Sequence, residues 1–339
     1  MTTPAVSVVM PVRDAASTID AAVGSIRAQT DTDWELIAVD DGSRDGSLAR
    51  LRAHAAADAR IRVIATPARG LVAALTSGLE AGCGPLVARM DADDVSHPER
   101  LGRQRARLDA DRSLGLVATR VAFVGDHTGG AGYARYVEWT NRILTHDAIR
   151  LAAFVESPFA HPSVMFRRAV LDRHGGYAAG DFPEDYELWL RWLAGGVRME
   201  KVPDVLLEWR DHPERLSRRD PRYDADAFDR LRARHLAAWL AAHNPHHPSV
   251  VVWGAGRASR RRAARLTGHG VAVSAWIDVD PRKIGRRHGA APVLAPEALP
   301  APGACFVVSY VGSHGARDLI ETRLAAIGYE AGRHYVVAA

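Results

Sequence analysis

Three carboxylates within four residues, Asp91, Asp93 and Asp94, are the groups in this chain with the clearest capacity for chemistry. They follow the apolar run 85–88, which is typical of a buried strand, and precede Pro98, which suits the start of a helix. In open α/β sheets, ligands bind at such carboxyl ends of strands. Oxygen ligands spaced Asp-x-Asp suit Mg²⁺ or Mn²⁺ carrying a diphosphate, whereas a solvated acidic turn is the alternative interpretation.

A second acidic turn contains Asp40 and Asp41 and follows the apolar run 34–39. Strand and helix patterns alternate from residue 6 to about residue 110, which predicts a doubly wound, mostly parallel α/β sheet. Because the carboxyl ends of parallel strands lie along one edge of a sheet, we expect both acidic turns at that edge.

The length and composition predict a two-domain globular protein. The chain has 339 residues, of which 47% are hydrophobic and 25% are charged. The only cysteines, Cys83 and Cys305, are too few for a disulfide framework and indicate a reducing compartment. We find neither a signal peptide nor an apolar run of the ~18 residues that a membrane span needs. We therefore expect a cytoplasmic protein, with peripheral contact at the inner face of the membrane left open.

The charge of the chain argues against nucleic acid as a partner. The pI is 9.3, but the net charge is only +4. Lysine occurs only at Lys201 and Lys283, so 44 basic residues minus these two leaves 42 arginines, spread along alanine-rich helices. A nucleic-acid interface needs the cations clustered on one face.

Further motifs occur along the chain in a fixed order: 7–12 (Ser-Val-Val-Met-Pro-Val), 40–43 (Asp-Asp-Gly-Ser), 91–94 (Asp-Ala-Asp-Asp), 97–101 (His-Pro-Glu-Arg-Leu), 161–168 (His-Pro-Ser-Val-Met-Phe-Arg-Arg) and 184–191 (Glu-Asp-Tyr-Glu-Leu-Trp-Leu-Arg). Together they resemble the nucleotide-sugar-binding half of family 2 glycosyltransferases with the GT-A fold. The resemblance covers roughly residues 5 to 218.

The resemblance implies a donor site at the acidic turns. Asp93 would be a direct metal ligand, and Asp91 would contact the ribose or a metal-bound water. Asp41 resembles the family's uracil-reading aspartate, with Asp40 left open as an alternative. The donor-binding residues it implies are Pro11, Val12, Asp14, Asp40, Asp41, Arg69, Asp91 and Ala92. For Arg69, an ordinary solvated arginine is an equal alternative.

The resemblance also implies a catalytic base in the Glu184-Asp185 pair. We expect Asp185 to be the base, because a helix N-terminus keeps a carboxylate ionised; a simple N-cap is the alternative. His212 would bind the metal or close over the diphosphate, or else be polar surface. We predict that His161 and Trp189 lie on the acceptor side of the site. The alternatives are a structural role in a turn for His161 and a position in the hydrophobic core for Trp189.

The C-terminal part begins a new α/β pattern. We predict a glycosyltransferase domain over residues 1–218, a helical linker over residues 219–248, and a small Rossmann-like domain over residues 249–339. Gly254 and Gly256 suit a tight turn after a strand, and Asp278 is placed to meet a ribose. Ser259 stands where the third glycine of the dinucleotide motif belongs, so a binding role for this domain is left open.

The main functional hypothesis is an inverting, metal-dependent glycosyltransferase. It would move a sugar from a nucleotide sugar, with UDP-sugars favoured, to a saccharide, a lipid-linked saccharide or another hydroxyl acceptor in cell-envelope or extracellular glycan synthesis. A nucleotidyltransferase is the first alternative, but it needs a basic phosphate loop near the first strand, where Arg13 stands alone. A nucleotide-sensing protein with a degenerate transferase domain is the second.

Overall fold

The computed structural model describes residues 3–125, 131–313 and 315–339. These residues form two compact units, each built on one sheet. The first unit comprises the chain up to residue 149 together with residues 158–180 and 184–220. The second comprises residues 150–157, 181–183 and 221–339.

The first unit alternates strands and helices as the sequence pattern predicts. In chain order the elements up to residue 219 are β1 (Val6–Val12), α1 (Ile19–Arg27), β2 (Trp34–Asp41), α2 (Ser47–Ala57), β3 (Ile61–Thr66), α3 (Leu71–Ala81), β4 (Leu86–Arg89), β5 (Val95–Ser96), α4 (Arg100–Ala110), β6 (Leu114–Val124), α5 (Ala131–Thr140), α6 (His146–Ala152), β7 (Val164–Arg167), α7 (Arg168–His174), α8 (Glu184–Ala194), β8 (Arg198–Arg210) and α9 (Leu216–Arg219).

The first sheet has the strand order β3-β2-β1-β4-β7-β6-β8-β5. Strands β3, β2, β1 and β4 are parallel, β7 is antiparallel to both β4 and β6, and β8 runs parallel to β6. The predicted doubly wound, mostly parallel sheet is confirmed. Strands β1, β2 and β4 are buried along almost their whole length, as their continuous apolar runs predict.

The register of the central strands brings the two acidic turns to one edge. Val12 at the end of β1 pairs with Asp40 in β2, and Val9 pairs with Arg89 at the end of β4. Since all three strands are parallel, the residues that follow them leave the sheet on the same side.

Two glycines allow the close approaches that this edge requires. Gly78 presses α3 onto the sheet, because a Cβ there would lie 2.5 Å from Cγ1 of Val9. Gly42 has a φ of 71° directly after the acidic pair of β2, and a Cβ there would lie 2.8 Å from the main-chain nitrogen of Ala68. A larger side chain at Gly42 would therefore push residue 68 away from the turn.

The second unit contains a mostly parallel sheet of its own. Its elements are α10 (Ala225–His243), β9 (Ser249–Trp253), α11 (Arg257–Thr267), β10 (Ala272–Ile277), β11 (Arg287–His288), β12 (Ala291–Leu294), β13 (Val307–Ser309), α12 (Ala316–Ala326) and β14 (Tyr335–Val337). The strand order is β11-β12-β10-β9-β13-β14, with only the β11–β12 pairing antiparallel in the described part of the chain. Helix α10 lies within the segment 219–248, which we predicted to be a helical linker. In the structure it is part of the second unit. The Rossmann-like assignment stays a prediction.

Within the described ranges, no helix has both the length and the apolar character that crossing a membrane requires.

Candidate active site

The three carboxylates after β4 converge. Asp91, Asp93 and Asp94 each offer an oxygen atom, and these atoms lie within 4.8 Å of one another. One oxygen of Asp94 accepts a hydrogen bond from the main-chain nitrogen of Arg210 at 2.8 Å, while Oδ2 is buried without a hydrogen-bond partner. An unpartnered buried carboxylate oxygen beside two further carboxylates is the environment that a cation stabilises.

The electrostatics of this triad are unfavourable without a cation. Burial, followed by repulsion from Asp91, raises the pKa of Asp93 above its ordinary value. Burial and the charges of both neighbours raise the pKa of Asp94 well above its ordinary value, although Arg215 acts in the opposite direction. Hard oxygen donors with mutual repulsion fit Mg²⁺ or Mn²⁺, so the residues suit the divalent metal that the sequence predicts.

The segment after β8 brings further groups to the triad. Nε2 of His212 lies 2.8 Å from Oδ2 of Asp93. The guanidinium of Arg215 stacks 4.0 Å from the ring centroid of Trp209, and its Nη1 donates to the main-chain oxygen of Arg210 at 3.2 Å. The structure therefore brings the predicted metal residues Asp93 and His212 into direct contact.

The carboxylates at the end of β2 have different partners. Asp41 accepts hydrogen bonds from the main-chain nitrogens of Arg69 at 2.7 Å and Gly70 at 2.9 Å, and Arg13 lies 3.4 Å from its second oxygen. Asp40 accepts one from the main-chain nitrogen of Ser43 at 3.2 Å, while its Oδ1 is buried and has no partner. Asp41 thus shapes the loop before α3, whereas one carboxylate oxygen of Asp40 is buried and unpartnered.

Other predicted donor residues lie in the same turns. Asp14 has a φ of 49° and accepts a hydrogen bond from the main-chain nitrogen of Arg44 at 2.7 Å, which ties the end of β1 to the turn after β2. The side chain of Arg69 is exposed, and Pro11 is partly buried in β1.

Two predicted donor residues have buried side chains. The side chains of Val12 and Ala92 belong to the hydrophobic core of the first unit. The strand period turns Val12 inward beside Met10. Donor contact through their main-chain atoms stays a prediction.

The predicted base lies at the start of α8. Glu184 is buried and Asp185 is partly buried, and Oδ1 of Asp185 accepts a hydrogen bond from the main-chain nitrogen of Tyr186 at 2.7 Å. Burial and the neighbouring charge of Glu184 raise the pKa of Asp185 to about 8. This raised pKa runs against the expectation that the helix N-terminus keeps Asp185 ionised, because desolvation and like-charge repulsion favour the protonated carboxyl group.

A small network adjoins the base. Nε2 of His161 lies 2.6 Å from the hydroxyl oxygen of Tyr177, and its Nδ1 lies 3.9 Å from a carboxylate oxygen of Glu184. Burial, followed by the charge of Arg89, lowers the pKa of His161 well below its ordinary value, so the imidazole is neutral. At 3.9 Å a neutral imidazole does not hydrogen-bond Glu184, and the acceptor-side role of His161 stays a prediction.

Trp189 does not line an acceptor site. It is fully buried, and its ring centroid lies 5.6 Å from that of Phe159 and 5.6 Å from that of Trp192. The placement on the acceptor side was wrong, and the core position given as its alternative is correct. Two tryptophans three residues apart on one helix face pack together, which leaves no open ring face for a sugar.

The sequence did not indicate every residue at this site. Asp94 was visible in the acidic run but received no role. Arg215, Tyr177 and Arg89 carried no recognisable signal, because an arginine or tyrosine shows its function only through its neighbours in space. Arg89 is buried and forms a 2.6 Å ion pair with Asp91.

The fold is of the GT-A type, and two groups of acidic residues lie at the ends of its strands and at the start of α8. A family model described as glycosyl transferase family 2 matches residues 7–175. The chain is 30% identical over 210 residues to the O-antigen biosynthesis glycosyltransferase WbnJ of Escherichia coli, covering 61% of this chain and 80% of WbnJ. This chain belongs to glycosyl transferase family 2.

Two further comparisons agree with that assignment. The chain is 32% identical over 150 residues to the UDP-Gal:alpha-D-GlcNAc-diphosphoundecaprenol beta-1,3-galactosyltransferase of Escherichia coli, which covers 44% of this chain and 52% of the relative. The structure of S. aureus TarS in complex with UDP-GlcNAc superimposes with a TM-score of 0.55 at 16% identity, covering 78% of this chain and 71% of TarS. At that identity the structural likeness establishes the fold alone.

Proposed function

We propose that this protein is an inverting glycosyltransferase that uses a divalent metal and a nucleotide-sugar donor. The observation that carries the proposal is the convergence of Asp91, Asp93 and Asp94 within 4.8 Å at the carboxyl edge of the sheet, with an unpartnered buried oxygen on Asp94. Such a set of carboxylates would hold a divalent cation, which would neutralise the diphosphate of the donor.

The donor is held by the two acidic turns. When bound, the divalent ion supplies a Lewis acid that stabilises the departing nucleoside diphosphate. Asp93 and Asp94 would provide oxygen ligands to the metal. His212 lies close to them, because its Nε2 atom is within hydrogen-bond distance of Oδ2 of Asp93. Asp41 or Asp40 reads the base, because either carboxylate can accept a hydrogen bond from a pyrimidine N–H.

Asp185 accepts the proton of the acceptor hydroxyl. As the hydroxyl oxygen attacks the anomeric carbon, the bond from that carbon to the diphosphate oxygen breaks, and the proton passes to the carboxylate of Asp185. Attack opposite the leaving group inverts the configuration. A carboxylate with a pKa raised to about 8 is a stronger proton acceptor than an ordinary aspartate once it is ionised.

The names of relatives support a glycan acceptor. WbnJ is named for O-antigen biosynthesis, and the galactosyltransferase is named for a UDP-Gal donor and a diphosphoundecaprenol-linked acceptor. We propose a UDP-sugar donor and a saccharide or lipid-linked saccharide acceptor for this chain, with the reaction taking place in the first unit.

The experiment is donor hydrolysis across a panel of UDP-, GDP- and dTDP-sugars, with Mn²⁺ and with a chelator. We expect metal-dependent release of one nucleotide by the wild type and a loss of at least about 100-fold in Asp93→Ala. Asp109→Ala is the matched control, because Asp109 is an aspartate on α4 whose side chain is 49% exposed. Full activity in Asp93→Ala, or equal activity with the chelator, would refute the metal role.

A further inference from the structure

One face of the second unit carries arginines that have no carboxylate partner. Arg257 and Arg260 are the first and fourth residues of α11, and Arg286 directly precedes β11. All three side chains are exposed. Within the described residues, no carboxylate oxygen lies within 4.0 Å of their guanidinium groups. The protein itself therefore leaves three positive charges on this face without an ion pair.

Contacts between α11 and β11 bring these arginines together. Nη1 of Arg260 lies 3.5 Å from Nδ1 of His288 in β11. Arg286 and His288 are two residues apart, which places their side chains on the same side of the extended chain. Burial, followed by the charges of Arg260 and Arg286, lowers the pKa of His288 below its ordinary value. Guanidinium groups from two separate segments thus flank one imidazole.

The arginines further along α11 are paired, unlike those at its start. Nε of Arg262 lies 3.1 Å from Oδ1 of Asp229, and Arg265 forms an ion pair with Asp226. The first turn of α11 contains no acidic residue, although the helix dipole favours anions and disfavours cations there. The arginines at the start of α11 therefore cost stability, and an external anion would offset that cost.

The acidic residues of the loop after β10 do not reduce this excess of positive charge. Nζ of Lys283 lies 3.0 Å from a carboxylate oxygen of Asp278. Nε of Arg282 lies 3.1 Å from a carboxylate oxygen of Asp280. Because each carboxylate has a cation of its own, the loop contributes no net negative charge.

The same loop presents an apolar side chain. Because β9 and β10 are parallel, the loop leaves the sheet at the edge where α11 begins. Asp278 accepts a hydrogen bond there from the main-chain nitrogen of Ala255 at 2.9 Å. Val279, the next residue, is 70% exposed. An exposed apolar side chain near unpaired cations suits the headgroup region of a lipid bilayer.

We propose that the basic face formed by Arg257, Arg260, Val279 and Arg286 docks on a membrane surface that contains anionic lipid. Each arginine close to such a surface strengthens binding about fivefold, so three arginines give the reversible contact of a peripheral protein. Binding to nucleic acid commonly uses about six to ten phosphate contacts, for which three cations are too few. A lipid-linked saccharide, one of the proposed acceptors, would be presented at the same kind of surface.

Co-sedimentation of the full-length protein with vesicles tests this contact. Vesicles of phosphatidylcholine and phosphatidylglycerol in equal parts are compared with vesicles of phosphatidylcholine alone. We expect the wild type to bind only the anionic vesicles and to be released by high salt, because salt screens the charges. Arg260→Gln combined with Arg286→Gln removes two of the three charges and should weaken binding about 25-fold.

The matched control is Arg323→Gln combined with Arg333→Gln. These two arginines also belong to the second unit, but they are paired with Glu297 and Glu330, so the control loses the same charge elsewhere. It should bind the anionic vesicles as the wild type does. Equal weakening in both double variants would reduce the contact to an effect of net charge and overturn the inference. Absence of vesicle binding by the wild type would overturn it as well.

Duplex DNA and donor hydrolysis separate the remaining outcomes. Tighter binding of the wild type to duplex DNA than to the vesicles, lost in the Arg260 and Arg286 double variant, would assign the face to nucleic acid and refute the membrane contact. Donor hydrolysis in solution should be equal in the wild type and in this variant, since the candidate active site belongs to the first unit. Hydrolysis without vesicle binding removes this inference alone. Vesicle binding without hydrolysis removes the proposed function alone.

Discussion

The carboxyl group of Asp185 determines how the reaction should depend on pH. Burial and Glu184 raise its pKa to about 8, so below that pH the base is mostly protonated and cannot accept the acceptor proton. We expect kcat/KM to increase with pH, about tenfold per unit, and to level off above about 8.

Substitution separates this base from donor binding. Asp185→Asn should lower kcat by about 10²- to 10⁴-fold and leave donor binding near the wild-type value. Asp172→Asn is the control, because Asp172 is an exposed aspartate on α7. A pH-independent rate between pH 6 and pH 9, or an unaffected Asp185→Asn, would show that another group is the base.

At the residue scale, the sequence was sufficient to predict which carboxylates belong to the candidate site. It was not sufficient to predict how their surroundings change their pKa values. Acidic motifs can be recognised in a sequence because several carboxylates in a short segment repel one another, and this repulsion is relieved when they bind a cation or hydrogen-bond donors. The pKa of Asp185 and the buried positions of Trp189 and Arg89 depend on the folded surroundings of these residues. Such effects arise only when β4, α8 and residue 177 come together.

At the element scale, Lys201 on β8 makes stability depend on pH. Its Nζ donates to the main-chain oxygen of Thr140 at 2.5 Å and to the hydroxyl of Thr140 at 2.6 Å, which fastens the end of α5. Burial, followed by the charge of Arg120, lowers the pKa of Lys201 to about 7. Lysine can be neutral in such a position, whereas arginine cannot.

The sign of this dependence follows from proton uptake. Between pH 7 and the ordinary lysine pKa, the unfolded chain binds a proton that the folded chain does not, so stability increases with pH. Lys201 contributes up to about 1.4 kcal/mol per pH unit in that window. Lys201→Met should lose this slope above about pH 7.5 and run parallel to the wild type below pH 7. Chemical denaturation at a series of pH values measures both curves, and parallel curves throughout would contradict the expectation.

Strands and helices up to α4 could be predicted from the sequence because each has a local signal. Apolar runs precede the acidic turns, and the run over residues 34–39 lies within β2 (Trp34–Asp41) in the structure. The long strands β6 and β8 were not recognised in full, and helix α5 was missed. β8 (Arg198–Arg210) mixes charged and apolar residues because its two faces have different environments, so no simple period identifies it.

At the scale of the whole molecule, the two units are not consecutive in the chain. Residues 150–157 precede most of the C-terminal unit in sequence but belong to it, and the ring of Phe154 lies 5.5 Å from that of Trp239 on α10. A sequence boundary drawn from composition cannot show this, because a composition shift marks only where the chain changes character.

The interleaved units predict how a truncation behaves. A chain ending at residue 220 keeps Phe154 but loses Trp239 and the rest of the second unit. We expect limited proteolysis to cleave this chain within residues 150–157, whereas the same segment of the full-length protein stays protected. Full-length Trp239→Ala, which removes one aromatic partner, should show intermediate protection. Equal protection of the truncated and full-length chains would contradict the division into units.

The most direct measurement of the central claim is calorimetric titration of nucleoside diphosphates, UDP first, in the presence of Mn²⁺ and in the presence of a chelator. We predict metal-dependent binding to the wild type, binding weakened at least about 100-fold in Asp93→Ala, and unchanged binding in Asp185→Asn. Metal-independent binding that survives in Asp93→Ala, or no binding of any nucleotide with Mn²⁺ present, would contradict it.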